Sequence, residues 1–132
     1  MSGIDFLNTA KWVSDNNVYS TTYVYTTNGN YALYIEDVQK AKLFYSKYSN
    51  CLSDTETKMF KAESDLDKKW ESIYKELKGL SDTDRHMMSL AELAEQTNSG
   101  IRILKSEPSS SNSFGLYYTQ TIDDKIIPYN CK

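Results

Sequence analysis

The sequence predicts an α+β fold in which a largely antiparallel sheet of four to five strands packs against three to four helices. Strand-like runs occur in two groups, one toward each end of the chain, and helical patterns fill the segment between them. The expected order of elements is α-β-β-α-α-α-β-β-β. Since 132 residues are enough to build one hydrophobic core, we expect a single domain spanning 1–132.

Residues 3–15 are predicted to form the first helix, because apolar residues recur there at helical spacing. The members of this stripe are Ile4, Leu7, Ala10 and Val13. Trp12 flanks the stripe, and the pair Asn16-Asn17 is expected to end the helix.

A tyrosine-rich β-hairpin is predicted over residues 18–35. Asn28-Gly29 indicates a two-residue type I′ turn, because both central residues of that turn need φ > 0. This turn would place Tyr23 opposite Tyr34. Side chains alternate between the two faces of a strand, so one face is expected to be apolar and the other aromatic. The apolar face would carry Val18, Val24, Tyr31, Leu33 and Ile35.

The aromatic face of the hairpin is the predicted partner-binding surface. Its members are Tyr19, Thr21, Tyr23, Tyr25 and Tyr34, with Ala32 between them. Hydroxyl groups are costly to bury without hydrogen-bond partners, which favours an exposed face. The alternative is that the central helices cover this face as well, which would make the sheet two-sided.

Helix-capping signals divide the central segment. Glu36-Asp37 precedes a predicted helix that runs to about residue 50, since acidic groups favour a helix start. A capping box at 53–56 predicts a long helix over 54–78, which Gly79 would end. A similar signal at 81–84 predicts a further helix that ends near Gln96.

Apolar residues in the central segment also recur at a strict seven-residue interval. The series is Val38, Tyr45, Leu52, Met59, Leu66, Ile73, Leu80, Met87, Ala94 and Ile101. Seven is the coiled-coil period, but the companion apolar position drifts and the caps interrupt the run. Separate amphipathic helices on a sheet are therefore favoured over a supercoiled hairpin.

The C-terminal third returns to strand patterns at 101–105, 114–122 and 126–129. A serine-rich loop is expected at 106–113 because of its composition. Pro128 cannot donate a ladder hydrogen bond, so the last strand is expected at an edge of the sheet.

No catalytic, metal-ligating or cofactor-binding pattern is found in the sequence. The chain has no glycine-rich phosphate loop and no Cys-x-x-Cys motif. Cys51 and Cys131 are far apart, which favours free thiols in a reducing compartment over a disulfide. A cysteine nucleophile would need a base, and His86 is the only histidine, on a helix surface by our interpretation. We expect no catalytic residues, no metal and no cofactor.

Charge and hydropathy exclude several classes of partner. The chain has 18 acidic and 15 basic residues, and no basic residue lies between Lys11 and Lys40. The aromatic face therefore lacks the cations that phosphate contacts need, and no nucleic-acid partner is expected. No segment resembles a signal peptide or a membrane span, so we expect a cytoplasmic location and no membrane partner. The residue usage is typical of an AT-rich microbial or viral genome.

These features together predict a small, cytoplasmic, non-catalytic protein-binding module. Inhibitors, immunity-type proteins and chaperone-like factors act in this way, by binding a protein partner. The alternative is a structural or assembly subunit that oligomerises through the helical region 36–97, and a homodimer is one such possibility. A small enzyme that uses Cys51 and His86 is the third hypothesis.

Overall fold

The fold combines helices with an antiparallel sheet, which confirms the α+β class. The computed structural model describes residues 3–16, 21–27, 29–51, 59–106, 115–122 and 125–130. At 3–5, 26, 115–122 and 125–130 the description covers the backbone alone.

The elements follow one another in the predicted order, with a 3-10 turn added between the second and third helices. The helices are α1 (Gly3–Asn16), α2 (Val38–Tyr48), α3 (Asp65–Glu76) and α4 (Asp82–Gln96), and the 3-10 turn is Ser49–Cys51. The strands are β1 (Thr22–Thr26), β2 (Gly29–Ile35), β3 (Ile101–Ser106), β4 (Gly115–Ile122) and β5 (Lys125–Asn130).

The strands pair in sequence order, each antiparallel to the next. Side chains are described for β1, β2 and β3, and this fully described part is a three-stranded antiparallel sheet, fewer strands than the predicted four to five. The backbone pairing continues from β3 into β4 and then β5. β1 and β5 lie at the two edges of this order, so Pro128 is in an edge strand as predicted.

The predicted long helix over 54–78 is wrong at its start, because α3 begins at Asp65. A turn at residues 62–63 precedes it, and Glu63 has a φ of 66°. The Ser64 side chain accepts a hydrogen bond from the Asp67 N–H at 3.2 Å, and the Asp67 carboxylate accepts one from the Glu63 N–H at 3.1 Å. This reciprocal cap resembles the capping box. The capping box predicted at 53–56 lies outside the described residues.

A tertiary contact explains why the chain turns before α3. Phe60 is fully buried, and its ring packs edge-on against Phe6 of α1 at 6.5 Å and Trp70 of α3 at 6.3 Å. The turn is what allows Phe60 to reach both rings. Phe6 also meets Phe44 of α2 edge-on at 5.5 Å, so these aromatic contacts join three helices in the core.

All described members of the seven-residue series except the half-buried Val38 lie in or against the core of one chain. The described members are spread over α2, α3, α4 and β3 and the segments before α3 and α4. Leu66, Ile73, Met87, Ala94 and Ile101 are buried, and Tyr45, Met59 and Leu80 pack against the same cluster. The period-seven spacing therefore reflects helices that are packed separately, and Leu52 lies outside the described residues.

The hairpin has a different register from the predicted one. Tyr23 pairs with Ala32 instead of Tyr34, and Thr26 pairs with Gly29. Gly29 is thus the first residue of β2, and Asn28 lies outside the described residues. The partner of each residue has moved by two positions, and an even shift keeps every side chain on its predicted face.

In the observed register, Gly29 lies close against β3. A Cβ at Gly29 would lie 2.8 Å from the Lys105 side chain and 2.9 Å from the Ser106 carbonyl oxygen. The Gly29 backbone has a φ of 146°, which side-chain-bearing residues rarely adopt. Gly29 therefore serves the close approach of two strands and not the turn alone.

Candidate protein-binding surface

The two faces of the hairpin differ sharply in exposure. On the helix-covered side, Tyr31 and Leu33 are both 0% exposed. On the opposite side, Tyr23 is 54% exposed and Tyr25 is 73% exposed. We call this opposite side the outer face. The register places on it Tyr23, Tyr25, Asn30, Ala32, Tyr34, Arg102 and Leu104.

The Tyr23 and Tyr25 rings form the most exposed part of the outer face. They are two residues apart on β1, and their rings stack with centroids 6.4 Å apart and planes 15° apart. The stacked arrangement restricts both side chains before any partner arrives. A rigid aromatic surface with hydroxyl groups gives a partner both contact area and hydrogen-bonding sites at a low entropic cost.

The outer face becomes more covered toward its centre. Ala32 is 4% exposed, because it lies between the larger side chains of Tyr23 on β1 and Leu104 on β3. Tyr34 is half-buried, and burial raises the pKa of its phenol. The nearby carboxylate of Glu36 raises that pKa further, while the Arg102 charge opposes the shift.

Arg102 forms a charged rim beside Tyr34, which it opposes across the strand pair. Its guanidinium donates to Glu36 at 2.8 Å and to Glu95 at 2.6 Å. Burial tends to lower the pKa of Arg102, but the two carboxylates outweigh it and the pKa is raised. The bridge ties the end of β2 to the end of α4.

A surface pocket of about 70 Å³ lies beside this rim. The Gly100 carbonyl oxygen lines it and accepts hydrogen bonds from the N–H groups of Glu36 at 2.7 Å and Asp37 at 3.1 Å. Gly100 has a φ of 71°, and a Cβ there would collide with the Asp37 carbonyl oxygen. The pocket has room for a few water molecules.

On the covered side, a buried tyrosine fixes the hairpin to α4. The Tyr31 hydroxyl donates to Asp84 at 2.6 Å, and the Lys105 ammonium donates to the same oxygen at 3.0 Å. Burial tends to raise the pKa of Asp84, but these hydrogen bonds outweigh it and hold the pKa below its usual value. Ser81 caps α4 as predicted, by accepting from the Asp84 N–H at 3.3 Å.

The predicted partner-binding residues are placed as follows. Tyr23 and Tyr25 share the exposed part of the outer face, and Tyr34 lies at its half-buried end. Thr21 is exposed immediately before β1, and Tyr19 lies outside the described residues. No local sequence signal indicates the Arg102 rim, because its partner Glu36 is 66 positions away along the chain.

Cys51 and His86, the pair considered for catalysis, lie on different elements. Cys51 is a buried free thiol in the 3-10 turn, and its Sγ donates to Asn50 at 3.5 Å. His86 is half-buried and not on an open helix surface as predicted. Its ring meets Trp70 edge-on at 5.3 Å. Trp70 itself is buried in the core.

Among the described residues, no three histidine, cysteine or acidic side chains come together as a metal-binding group. No helix in the described part of the chain combines the length and apolar character needed to cross a bilayer. Comparison of the chain with protein-family models, with curated proteins and with solved structures finds no match in any of the three.

Proposed function

We propose that this protein acts by binding another protein through the outer face of its hairpin, without catalysis. The observation that carries the proposal is the exposed, stacked pair of Tyr23 and Tyr25 on the side opposite the core. Large aromatic side chains that remain in solvent are characteristic of protein interfaces, where tyrosine is enriched. An inhibitor, an immunity-type protein or a chaperone-like factor would use such a surface.

The charges of the outer face favour a protein over a nucleic acid. Among its described residues, Arg102 carries the positive charge, and two carboxylates already bind it. A phosphate backbone would have to compete with Glu36 and Glu95 for that guanidinium. Aromatic stacking on single-stranded nucleic acid normally occurs together with cations that track the backbone.

The shape of this region also favours a protein over a small molecule. The pocket beside Arg102 has room for only a few water molecules, and Tyr23 and Tyr25 lie exposed on an edge strand. Small-molecule sites are concave and enclose most of their ligand. The buried free thiol of Cys51 is compatible with a reducing compartment, and we propose a cytoplasmic location.

Substitutions on the outer face test this proposal directly. Partners captured from a source lysate by the wild-type protein are identified, and the affinity of a purified partner is then measured by calorimetry. Tyr23→Ala and Tyr25→Ala should each weaken binding by about 1–3 kcal/mol, as for aromatic residues at an interface. Their melting temperatures should stay close to that of the wild type, because both side chains are largely exposed.

Leu43→Ala is the matched control. Leu43 is 71% exposed on α2. Its truncation to alanine therefore removes exposed apolar area at a site away from the hairpin. It should leave both the affinity and the melting temperature unchanged. Equal loss of affinity in Leu43→Ala and Tyr25→Ala, or undiminished affinity in both tyrosine variants, would mean that the partner binds elsewhere.

A further inference from the structure

β1 is an edge strand with an unusual sequence. It pairs with β2 on one side, and no strand in the described part of the chain pairs with its other side. Residues 21–27 read Thr-Thr-Tyr-Val-Tyr-Thr-Thr, which is the same in both directions about Val24. An edge strand presents backbone groups that can pair with another chain.

We infer that two copies of this chain associate by antiparallel pairing of their β1 strands about a two-fold axis at Val24. A two-fold axis brings the same patch of both copies together, so each residue meets its mirror position in the sequence. Because residues 21–27 form a palindrome, both members of every such pair are the same residue type. Tyr23 lies opposite the other copy's Tyr25, and Thr22 lies opposite its Thr26. Aromatic pairs and threonine pairs are both favourable across antiparallel strands.

The register of the hairpin places the N–H and C=O groups of Tyr23 and Tyr25 at the unpaired edge of β1. Thr26 and Gly29 close a two-residue connection, and such a closing pair exchanges hydrogen bonds. The alternation then directs the backbone groups of Val24 toward β2, and those of Tyr23 and Tyr25 toward the edge. Pairing about Val24 therefore joins Tyr23 to Tyr25 of the second copy as a hydrogen-bonded pair, which is what an antiparallel ladder requires.

Comparison with the other edge of the sheet supports this inference. β5 carries Pro128, which lacks an N–H, and begins at Lys125. The same alternation, counted from the closing pair of Ile122 and Lys125, directs the Pro128 nitrogen away from β4. Proline and lysine are two of the devices that keep an edge strand from pairing. β1 has neither, and no charged residue occurs from 16 to 35.

The lack of charge also removes an obstacle to self-association. Each copy has a formal net charge of -3, but two β1 strands can approach without facing like charges. The paired strands would place Tyr23 and Tyr25 of both copies in one row on a continuous outer face. The outer face of a dimer would thus present twice the aromatic area of a single hairpin. This mode of association uses the sheet edge and not the helical region 36–97.

Charge substitutions at Tyr23 and Tyr25 test the pairing and its register. Both side chains point away from the core, so the variants should fold, which their melting temperatures will check. The wild type should have twice the 15.2 kDa chain mass by light scattering at micromolar concentrations. The double variant Tyr23→Lys/Tyr25→Lys places lysine opposite lysine and should weaken the dimer by about tenfold or more. Tyr23→Glu/Tyr25→Glu should do the same.

Two further samples separate the proposed register from a general need for tyrosine. The variant Tyr23→Lys/Tyr25→Glu places lysine opposite glutamate at both positions and should remain a dimer. An equimolar mixture of the dilysine and diglutamate variants should form a mixed dimer. A dimer of the first variant supports antiparallel pairing about Val24, because parallel pairing would place like charges opposite one another. A mixed dimer shows that like charges across the strand pair, and not the loss of tyrosine, separate the two variants.

A wild-type protein that is monomeric at micromolar concentrations would overturn the inference, and so would a dilysine variant that dimerises like the wild type. If the dilysine and diglutamate variants are monomers but do not combine, the proposed register is wrong. A wild-type monomer whose affinity for a separate protein partner falls on Tyr25→Ala would refute the dimer and leave the proposed function standing.

Discussion

Tyr31 and Tyr25 lie on neighbouring strands of one hairpin, yet one is fully buried and the other is 73% exposed. The surroundings of the two hydroxyl groups differ. Tyr31 points toward α4, where the Asp84 carboxylate accepts a hydrogen bond from its hydroxyl at 2.6 Å. Tyr25 points to the outer face, where its ring stacks on that of Tyr23.

This comparison shows how a tyrosine can be a core residue on one face and a surface residue on the other. Burial of a phenol is favourable when its hydroxyl has a partner, and a charged acceptor makes the bond stronger. Asp84 supplies that acceptor on the covered face. On the outer face, the Tyr23 and Tyr25 side chains remain largely exposed, and this exposure motivates the proposal that a partner protein covers them.

The largest effect should come from the covered face. Leu33→Ala is expected to lower the free energy of unfolding by about 2–5 kcal/mol, because Leu33 is fully buried and its truncation leaves a cavity. Chemical denaturation measures this change. Leu43→Ala, at an exposed position of α2, should stay within about 0.5 kcal/mol of the wild type. Equal losses in the two variants would contradict the difference in burial.

The hydroxyl of the buried tyrosine should have the next largest effect. Tyr31→Phe keeps the ring but removes the hydrogen bond to Asp84, and should cost about 1.5–3 kcal/mol of stability because the acceptor is charged. Tyr25→Phe is the matched control on the outer face and should change stability by less than about 0.5 kcal/mol. Chemical denaturation of both variants makes the comparison.

The same variant has a pH signature. Since hydrogen bonding lowers the pKa of Asp84, the folded state binds this proton less tightly than the unfolded chain does. The resulting stability is present above the usual aspartate pKa and is lost as the pH falls through the lowered value. The stability difference between the wild type and Tyr31→Phe should therefore shrink in acid. A difference that stays constant with pH would remove Asp84 from the explanation.

The smallest effect concerns a charge on the covered side. Burial raises the pKa of Glu92 on α4, and Glu95 and Glu76 add to the shift, although Gln96 donates a hydrogen bond to its carboxylate at 3.0 Å. Glu92→Gln removes this buried charge and should raise stability at neutral pH by about 0.5–2 kcal/mol. A melting curve at pH 7 measures the gain.

The pH dependence gives the check on that assignment. A raised pKa means that the folded state binds the Glu92 proton more tightly, so the wild type gains stability as the pH falls. Below the usual glutamate pKa, the wild type and Glu92→Gln should have nearly the same stability. A gain that persists in acid would have to come from packing and not from charge.

Local patterns predicted much of this molecule. The period-two alternation in 18–35 placed Tyr31 and Leu33 on one face and Tyr23 and Tyr25 on the other, as the structure has them. The Ser81 cap correctly predicted the start of α4, because a cap involves residues three positions apart. The Ser64 cap has the same spacing, but its sequence signal is weaker than the capping box at 53–56.

The sequence by itself determined which elements form and which face each side chain takes, since capping bonds and periodicity depend on neighbours a few residues away. Only the tertiary structure decided the hairpin register, the start of α3 and the acceptor of the Tyr31 hydroxyl. Contacts between residues far apart in the sequence accompany these features: Gly29 lies close to Lys105, Phe60 packs against Phe6, and Tyr31 bonds to Asp84, which is 53 positions away. No local pattern encodes contacts at such separations, because their partners meet only when the sheet and helices pack together.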